Sequence, residues 1–229
     1  MGDVMTKHLN SLVLASVCAA AIAVFSTAAN ASMVTNGDFD GTIAAANFQT
    51  VSSPDTTTIP GWTVSAGNVD WINNYWLGSS LLAGDHSVDL SGNNAQGTIR
   101  QLITGLATGQ WYSLTFDTAL NPDHNDLPQS LAWTLGSTQG GTAFGIFDPN
   151  VAWSANVFNF LWTEASTSAL LVFASTVPGG TINCCFGPAL DNVELNAVPL
   201  PAALPLFAAG LGVMGYFGSR RQRKAALAA

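Results

Sequence analysis

Thirteen carboxylates and one cation, Arg100, occupy the stretch from Ser32 to Ala197; the other five Lys and Arg residues lie outside it. Such a surface repels phosphate backbones and argues against nucleic acid as a partner. It suits divalent cations and neutral glycans, and it also keeps an exported protein dispersed. One acid stands out by position. In ALDNVEL (Ala189 to Leu195), Asp191 shares strand parity with Val193 and Leu195, which predicts it on the core face. A carboxylate there is costly unless paired or bound to a metal. With one side-chain cation available, calcium is the natural partner, a hard ion that takes six to eight oxygens. The alternative is a strand-end carboxylate bonded to backbone amides or to Arg100.

Seven tryptophans supply the other chemistry. Exposed indoles stack on sugar rings while amide and carboxylate side chains bond the hydroxyls, and Tyr75 and Trp76 beside Asn73 and Asn74 have that composition. Trp62 and Trp133 sit within strand-like segments and are expected in the core, where large rings supply much of the burial energy. The polar stretch NPDHNDLPQ (Asn121 to Gln129) adds Asp123 and His124 as candidate ligands on a loop, where binding residues concentrate; simple solvation explains them equally. Nothing marks catalysis. A glycosidase needs two carboxylates with separated pKa values, and no pair is singled out here. His86 between Asp85 and Ser87 is no triad, because consecutive strand residues point to opposite faces, and no Gly-x-Ser-x-Gly elbow is present.

The segments that carry these residues read as strands and turns. Tyr112, Leu114, Phe116, Thr118 and Leu120 alternate with Ser113, Thr115 and Asp117; Leu131, Trp133 and Leu135 repeat the pattern; Ala169 to Ala174 is a short apolar run. Pro60-Gly61, Gly140-Gly141 and Gly179-Gly180 read as breaks. Short alternating segments with no helical periodicity predict an antiparallel β-sandwich. About 166 residues suffice for one domain with a substantial core. The adjacent Cys184 and Cys185 lack zinc spacing and close too small a ring to add loop-closure stability.

Both ends read as export signals. Lys7 and His8 precede an apolar stretch from Leu12 to Phe25, and Ala29-Asn30-Ala31 offers small residues where a signal peptidase reads, predicting a signal peptide over 1–31 cleaved before Ser32. At the other end, prolines lead into an apolar run from Ala202 to Phe217, followed by Arg220, Arg221, Arg223 and Lys224. Sixteen helical residues span roughly 24 Å against a hydrocarbon core of about 30 Å, a mismatch a thinned bilayer absorbs. The positive-inside rule puts the basic end in the cytoplasm and the domain outside.

This C-terminal order, over 198–229, resembles the PEP-CTERM sorting signal read by an exosortase. Val198, Pro199 and Pro201 match the motif, with Leu200 where it usually has Glu, and Arg220, Arg221 and Arg223 form the basic end. The resemblance implies a transient membrane helix and exosortase and signal peptidase as processing partners. The domain, 32–197, also resembles a known family. VTNGDFD (Val34 to Asp40), IPGWTV (Ile59 to Val64), GNVDWINNYW (Gly67 to Trp76), SVDLSG (Ser87 to Gly92), IRQLITGLATGQWYSLTFDTALNP (Ile99 to Pro122) and GPALDNVEL (Gly187 to Leu195) resemble the choice-of-anchor C domain, related to DUF642. That resemblance implies a galactose-binding-like jelly roll of about eight to ten strands without catalytic activity. It also implies a structural calcium tying first strand to last, nominating Asp40 and Asp191, with Asp38 a weaker candidate. The expected protein is an exported surface or matrix protein that binds an exopolysaccharide without turnover. The alternatives are an adhesive matrix protein that contacts other proteins, and a polysaccharide hydrolase.

Overall fold

The alternating segments pair into two antiparallel sheets. In this computed structural model the described residues are 31–43, 47–73, 86–93, 95–121, 129–137, 139–144, 153–177 and 186–199, with 207, 210–212 and 214. They include β1 (Phe48–Ser52), β2 (Thr63–Ala66), β3 (Asn68–Ile72), β4 (Ser87–Asp89), β5 (Thr98–Thr104), β6 (Trp111–Leu120), β7 (Ser130–Leu135), β8 (Gln139–Phe144), β9 (Ser154–Leu161), β10 (Ser168–Ser175) and β11 (Pro188–Ala197). Sheet A runs β1-β3-β4-β11-β6-β9 and sheet B runs β2-β5-β10-β7-β8. The fold is an all-β jelly-roll sandwich with eleven described strands rather than eight to ten.

Period-two patterning builds the core between the sheets. Tyr112, Leu114 and Phe116 of β6 face Ile99 and Ile103 of β5, Leu131 and Trp133 of β7, and Leu171 and Phe173 of β10, all buried. Phe116 meets Phe173 edge-on across the sandwich at 5.1 Å. Trp62 and Trp133 take the core positions expected of them.

The family-like motifs at the start of the domain form a clasp. Asn36 and Phe39 have left-handed backbones, φ 53° and 54°. Gly37 lies so close to β11 that a Cβ would stand 1.9 Å from the Val193 carbonyl oxygen, so only glycine fits. Trp62 Nε1 donates to Asn36 O at 2.8 Å and Asn36 Nδ2 donates to Pro60 O at 2.8 Å. Gln101 of β5, buried, donates to Thr35 O and Gly61 O and accepts from Thr35 N. Met33 N donates to Leu195 O and Val193 N to Gly37 O, joining this segment to β11.

One segment differs from its sequence reading. Gly140 and Gly141 do not break the chain: they lie inside β8, opposite Thr134 and Trp133, and the turn falls at Gly136 with φ 64°. A Cβ on Gly141 would stand 2.8 Å from Trp133 Nε1, so the glycine makes room for the indole rather than for a turn. The apolar run in β10 alternates between core and surface. Ala169, Leu171 and Phe173 face the core while Leu170, 40% exposed, faces out.

Contacts divide the chain into Asn30–Val198, the sandwich, and a second unit of Met1–Ala29 with Pro199–Ala229. In the second unit, residues 207, 210–212 and 214 are helical, and Phe207, Leu211 and Met214 are exposed. Among the described residues no helix is long and apolar enough to cross a membrane. Residues 1–30 of the expected signal peptide, most of the run from Ala202 to Phe217, and Pro201, Arg220, Arg221 and Arg223 lie outside the described residues, as do Cys184 and Cys185.

Candidate functional site

The strands β9, β6 and β11 turn one face outward. Strand parity sets Trp111, Ser113, Thr115 and Asp117 opposite the core residues Tyr112, Leu114 and Phe116. Register then builds rows across the sheet. Trp111 stands opposite Leu161 of β9; Ser113 is flanked by Asn159 of β9 and Asn196 of β11; Thr115 by Val157 and Glu194; Asp117 by Ala155 and Asp191. The rows extend about 20 Å along β6, with neighbouring strands roughly 4.8 Å apart.

Two members of this face are far more exposed than apolar groups usually are: Trp111 at 47% and Val157 at 59%. Polar groups follow the indole along the face. Asn159 and Glu194 are exposed, Asn196 Nδ2 donates to Glu194 Oε2 at 3.0 Å, and Asn192 Nδ2 donates to Asp117 Oδ2 at 3.1 Å. Asn196 Oδ1 is out of contact with solvent and has no hydrogen-bond partner. An indole face beside amides and carboxylates fits a sugar ring, with an apolar face for the indole and hydroxyls for the polar groups.

Toward β4 and β3 the same face closes over. Ala119 and Ala189 are buried with Ile72, and Phe48 and Trp153 pack against them. Asp89 of β4, 1% exposed, anchors this half. Its Oδ1 accepts from Ser91 N at 2.8 Å and Gly187 N at 2.9 Å, and its Oδ2 accepts from Asn121 Nδ2 at 2.8 Å. Burial pushes its carboxyl up to about 7; the three donors oppose that rise, and Asp70, directly across on β3, adds to it. Asp70 is raised as well, by burial, with Thr50 Oγ1 donating to its Oδ1 at 2.5 Å and opposing the rise.

Asp191 is fully buried, but not on the core face. A bulge between Asp191 and Glu194, with Asn192 at φ 49°, shifts the register by one residue. Leu190 and Val193 therefore both reach the core, and Asp191 stands opposite Asp117 on the outer face, its Oδ1 accepting from Asn192 N at 2.7 Å. Arg100 is on the outer face of sheet B, in register with Thr63 and Val172, so it is not the partner of Asp191. Asp40 is exposed, with Oδ1 3.4 Å from Nδ1 of the buried His86. Asp38 lines a shallow depression with Asn36, Asn192 and Glu194 where the clasp meets β11. Among the described residues no three His, Cys, Asp or Glu side chains converge as metal ligands.

Of the expected sugar contacts, Asn73 is described, just past β3, where its N donates to Asn47 O at 2.7 Å. Asn74, Tyr75, Trp76, Asp123 and His124 lie outside the described residues. Val198 ends the sandwich, its N donating to Trp111 O and its carbonyl accepting from Gln110 Nε2, with Pro199 next and exposed. Trp111 was legible in the sequence: the alternation that buries Tyr112 and Leu114 puts Trp111 among Ser113, Thr115 and Asp117. Asn159 and Asn196 had no such signal, because the pairing that brings them beside Ser113 joins strands far apart in the chain.

Solved structures with related folds include a CBM4 module (17% identity, 72% of this chain, 99% of that one, TM-score 0.39). Another is TmCBM61 in complex with β-1,4-galactotriose (10%, 74% and 100%, TM-score 0.42). A third is a cyclase from Fischerella sp. TAU in complex with 4-(1H-indol-3-yl)butan-2-one (16%, 76% and 100%, TM-score 0.48). Halomucin of Haloquadratum walsbyi is 29% identical over 184 residues, covering 76% of this chain, which spans about 2% of halomucin's length. The family model described as a protein of unknown function, DUF642, matches residues 32–196, and the chain belongs to that family.

Proposed function

We propose that the sandwich is a non-catalytic glycan-binding module that holds a sugar chain along the outward face of β9, β6 and β11. The observation that carries this reading is Trp111, 47% exposed on the sheet face that also carries Asn159 and Asn196, both in register with Ser113, and Glu194 further along. The acidic surface favours neutral polymers. Binding without turnover fits the placement of the carboxyls. Among the described residues the two with raised pKa values, Asp70 and Asp89, are 6% and 1% exposed, out of reach of a glycosidic bond. The test is affinity electrophoresis or calorimetry of the protein on a panel of neutral and acidic polysaccharides. Retention by at least one polymer that Trp111→Ala abolishes supports the reading; a blank across the panel refutes it. Reducing-sugar release from a bound polymer would instead identify a hydrolase.

The module belongs, in this reading, to an exported protein whose signal peptide ends before Ser32 and whose C-terminal segment is an exosortase address. Mass spectrometry of the mature protein checks both cuts, and an intact chain in the cytosol refutes them. A structural calcium ion at Asp40 and Asp191 is a separate proposal, and an unchanged calorimetric midpoint after EDTA treatment removes it. A protein-contact role has one observation in its favour: Leu102 and Leu170, 60% and 40% exposed, stand opposite each other on the outer face of sheet B.

A further inference from the structure

Among the described residues four tryptophans are buried, and three of them have the indole N–H bonded to a backbone carbonyl. Trp62 donates to Asn36 O, Trp71 to Phe39 O at 2.9 Å and Trp162 to Ser166 O at 3.0 Å. Trp133, 3% exposed, is the exception: its Nε1 is buried and has no acceptor. A buried donor left unbonded costs about 1–3 kcal/mol, so native proteins rarely leave one.

The Trp133 side chain borders a cleft of about 250 Å³ lined also by Gln139, Gly140, Val157, Phe158, Asn159 and Phe160. The cleft lies where the sandwich is open, between β8, the edge strand of sheet B, and β9, the edge strand of sheet A. Its apolar wall is an aromatic cluster, with Trp133 5.0 Å from Phe158 and 6.2 Å from Phe160 between ring centroids. Gly141 lets β8 close against the indole edge: a Cβ there would stand 2.8 Å from Trp133 Nε1 and 3.4 Å from Phe158 Cε1. Among the described residues no charged side chain lines the cleft, while Gln139 and Asn159 bring amides that both donate and accept.

We propose that this cleft receives the terminal unit of a neutral glycan, whose entry parts the indole edge from β8 so that one of its oxygens accepts the Trp133 indole hydrogen. The proposal rests on the glycan-binding reading and deepens it. Val157 and Asn159 line the cleft and also belong to the outward face beside Thr115 and Ser113, so β9 separates the two surfaces by the width of one strand. A chain lying across Trp111 can turn its last sugar over β9 into the cleft, which makes the module selective for chain ends. Neutral sugars match the site because a hydroxyl or ring oxygen supplies the missing acceptor without bringing a charge to an uncharged wall.

The experiment is a titration of the ¹⁵N-labelled full chain with D-glucose, D-galactose, D-mannose and N-acetyl-D-glucosamine, followed at the indole N–H resonances. The Trp133 signal is assigned by its disappearance in Trp133→Phe, and unchanged positions of the other indoles show that the variant is folded. The expected result is a saturable shift of the Trp133 resonance with at least one sugar, while those of Trp62, Trp71 and Trp162 stay in place. Trp133→Phe should weaken that sugar roughly tenfold, and Gly141→Ala, which fills the space beside the indole N–H, should weaken it as well. If a polysaccharide binds wild type and none of the four sugars moves the Trp133 signal, the cleft proposal falls alone. If no polysaccharide binds wild type, both proposals fall.

Discussion

On β3 and β4 the outward residues Asp70, Ile72, Ser87 and Asp89 are 0–6% exposed, whereas on β6 and β9 the outward Trp111 and Val157 are 47% and 59% exposed. Both sets share one face of one sheet, and both follow the same two-residue alternation. Parity determines which side of a sheet a residue faces; it does not determine whether that side is covered. The covered half packs Ile72 against Ala119 and Ala189 and ties β4, Ser91, Gly187 and Asn121 together through a single carboxylate. The open half presents ring and amide groups to solvent. Stability should be concentrated in the first half and recognition in the second.

Substitutions can separate the two. Ile72→Ala should cost about 3 kcal/mol in denaturant unfolding, since it empties a buried site, and leave the affinity per folded molecule unchanged. Trp111→Ala should do the reverse: on the order of 2 kcal/mol lost from polysaccharide binding by calorimetry, with the unfolding midpoint nearly constant. Equal effects of both changes on stability and on binding would erase the distinction.

A pH series sharpens the contrast within the covered half. Asp89 titrates near 3.8 when unfolded and about 7 when folded, so folding takes up a proton between those values. Its contribution to stability is greatest below about pH 4 and declines as pH rises to 7, and Asp70 acts in the same direction. Asp89→Asn should flatten the melting temperature across this range, because an amide oxygen can still accept from Ser91 N and Gly187 N while a rotated Asn121 accepts from its NH₂ group. An unaltered pH profile in the variant would assign the dependence elsewhere. The smallest effect is expected at Asn159→Ala, a few-fold loss of sugar affinity with no change in melting, as befits one exposed hydrogen-bonding group.

Much of this arrangement is readable in the chain. The alternation in Tyr112 to Leu120 and in Leu131 to Leu135 gives strands, faces and the core positions of Trp133 and its neighbours. Asp191 shows where that reading stops. A strict period of two puts it inward with Val193, but the bulge at Asn192 resets the count, and a left-handed asparagine leaves no trace in hydrophobic patterning. Gly140-Gly141 fails for a related reason. Glycine pairs serve turns and close approaches alike, and only the cross-strand position of Trp133 decides between them. The open half of the sheet needed pairing between β6, β9 and β11, segments up to about eighty residues apart, which no local pattern specifies.

The clasp that joins Met33 and Gly37 to β11 has a mechanical side. β11 is an inner strand, bonded to β4 and along its length to β6, and held further by the Met33 and Val193 amide bonds. Tension applied through Val198 would load these bonds in shear, in parallel, rather than peeling them one after another as at an edge. A domain tethered by its C-terminal end while gripping a polymer would then yield at the ligand before it unravels.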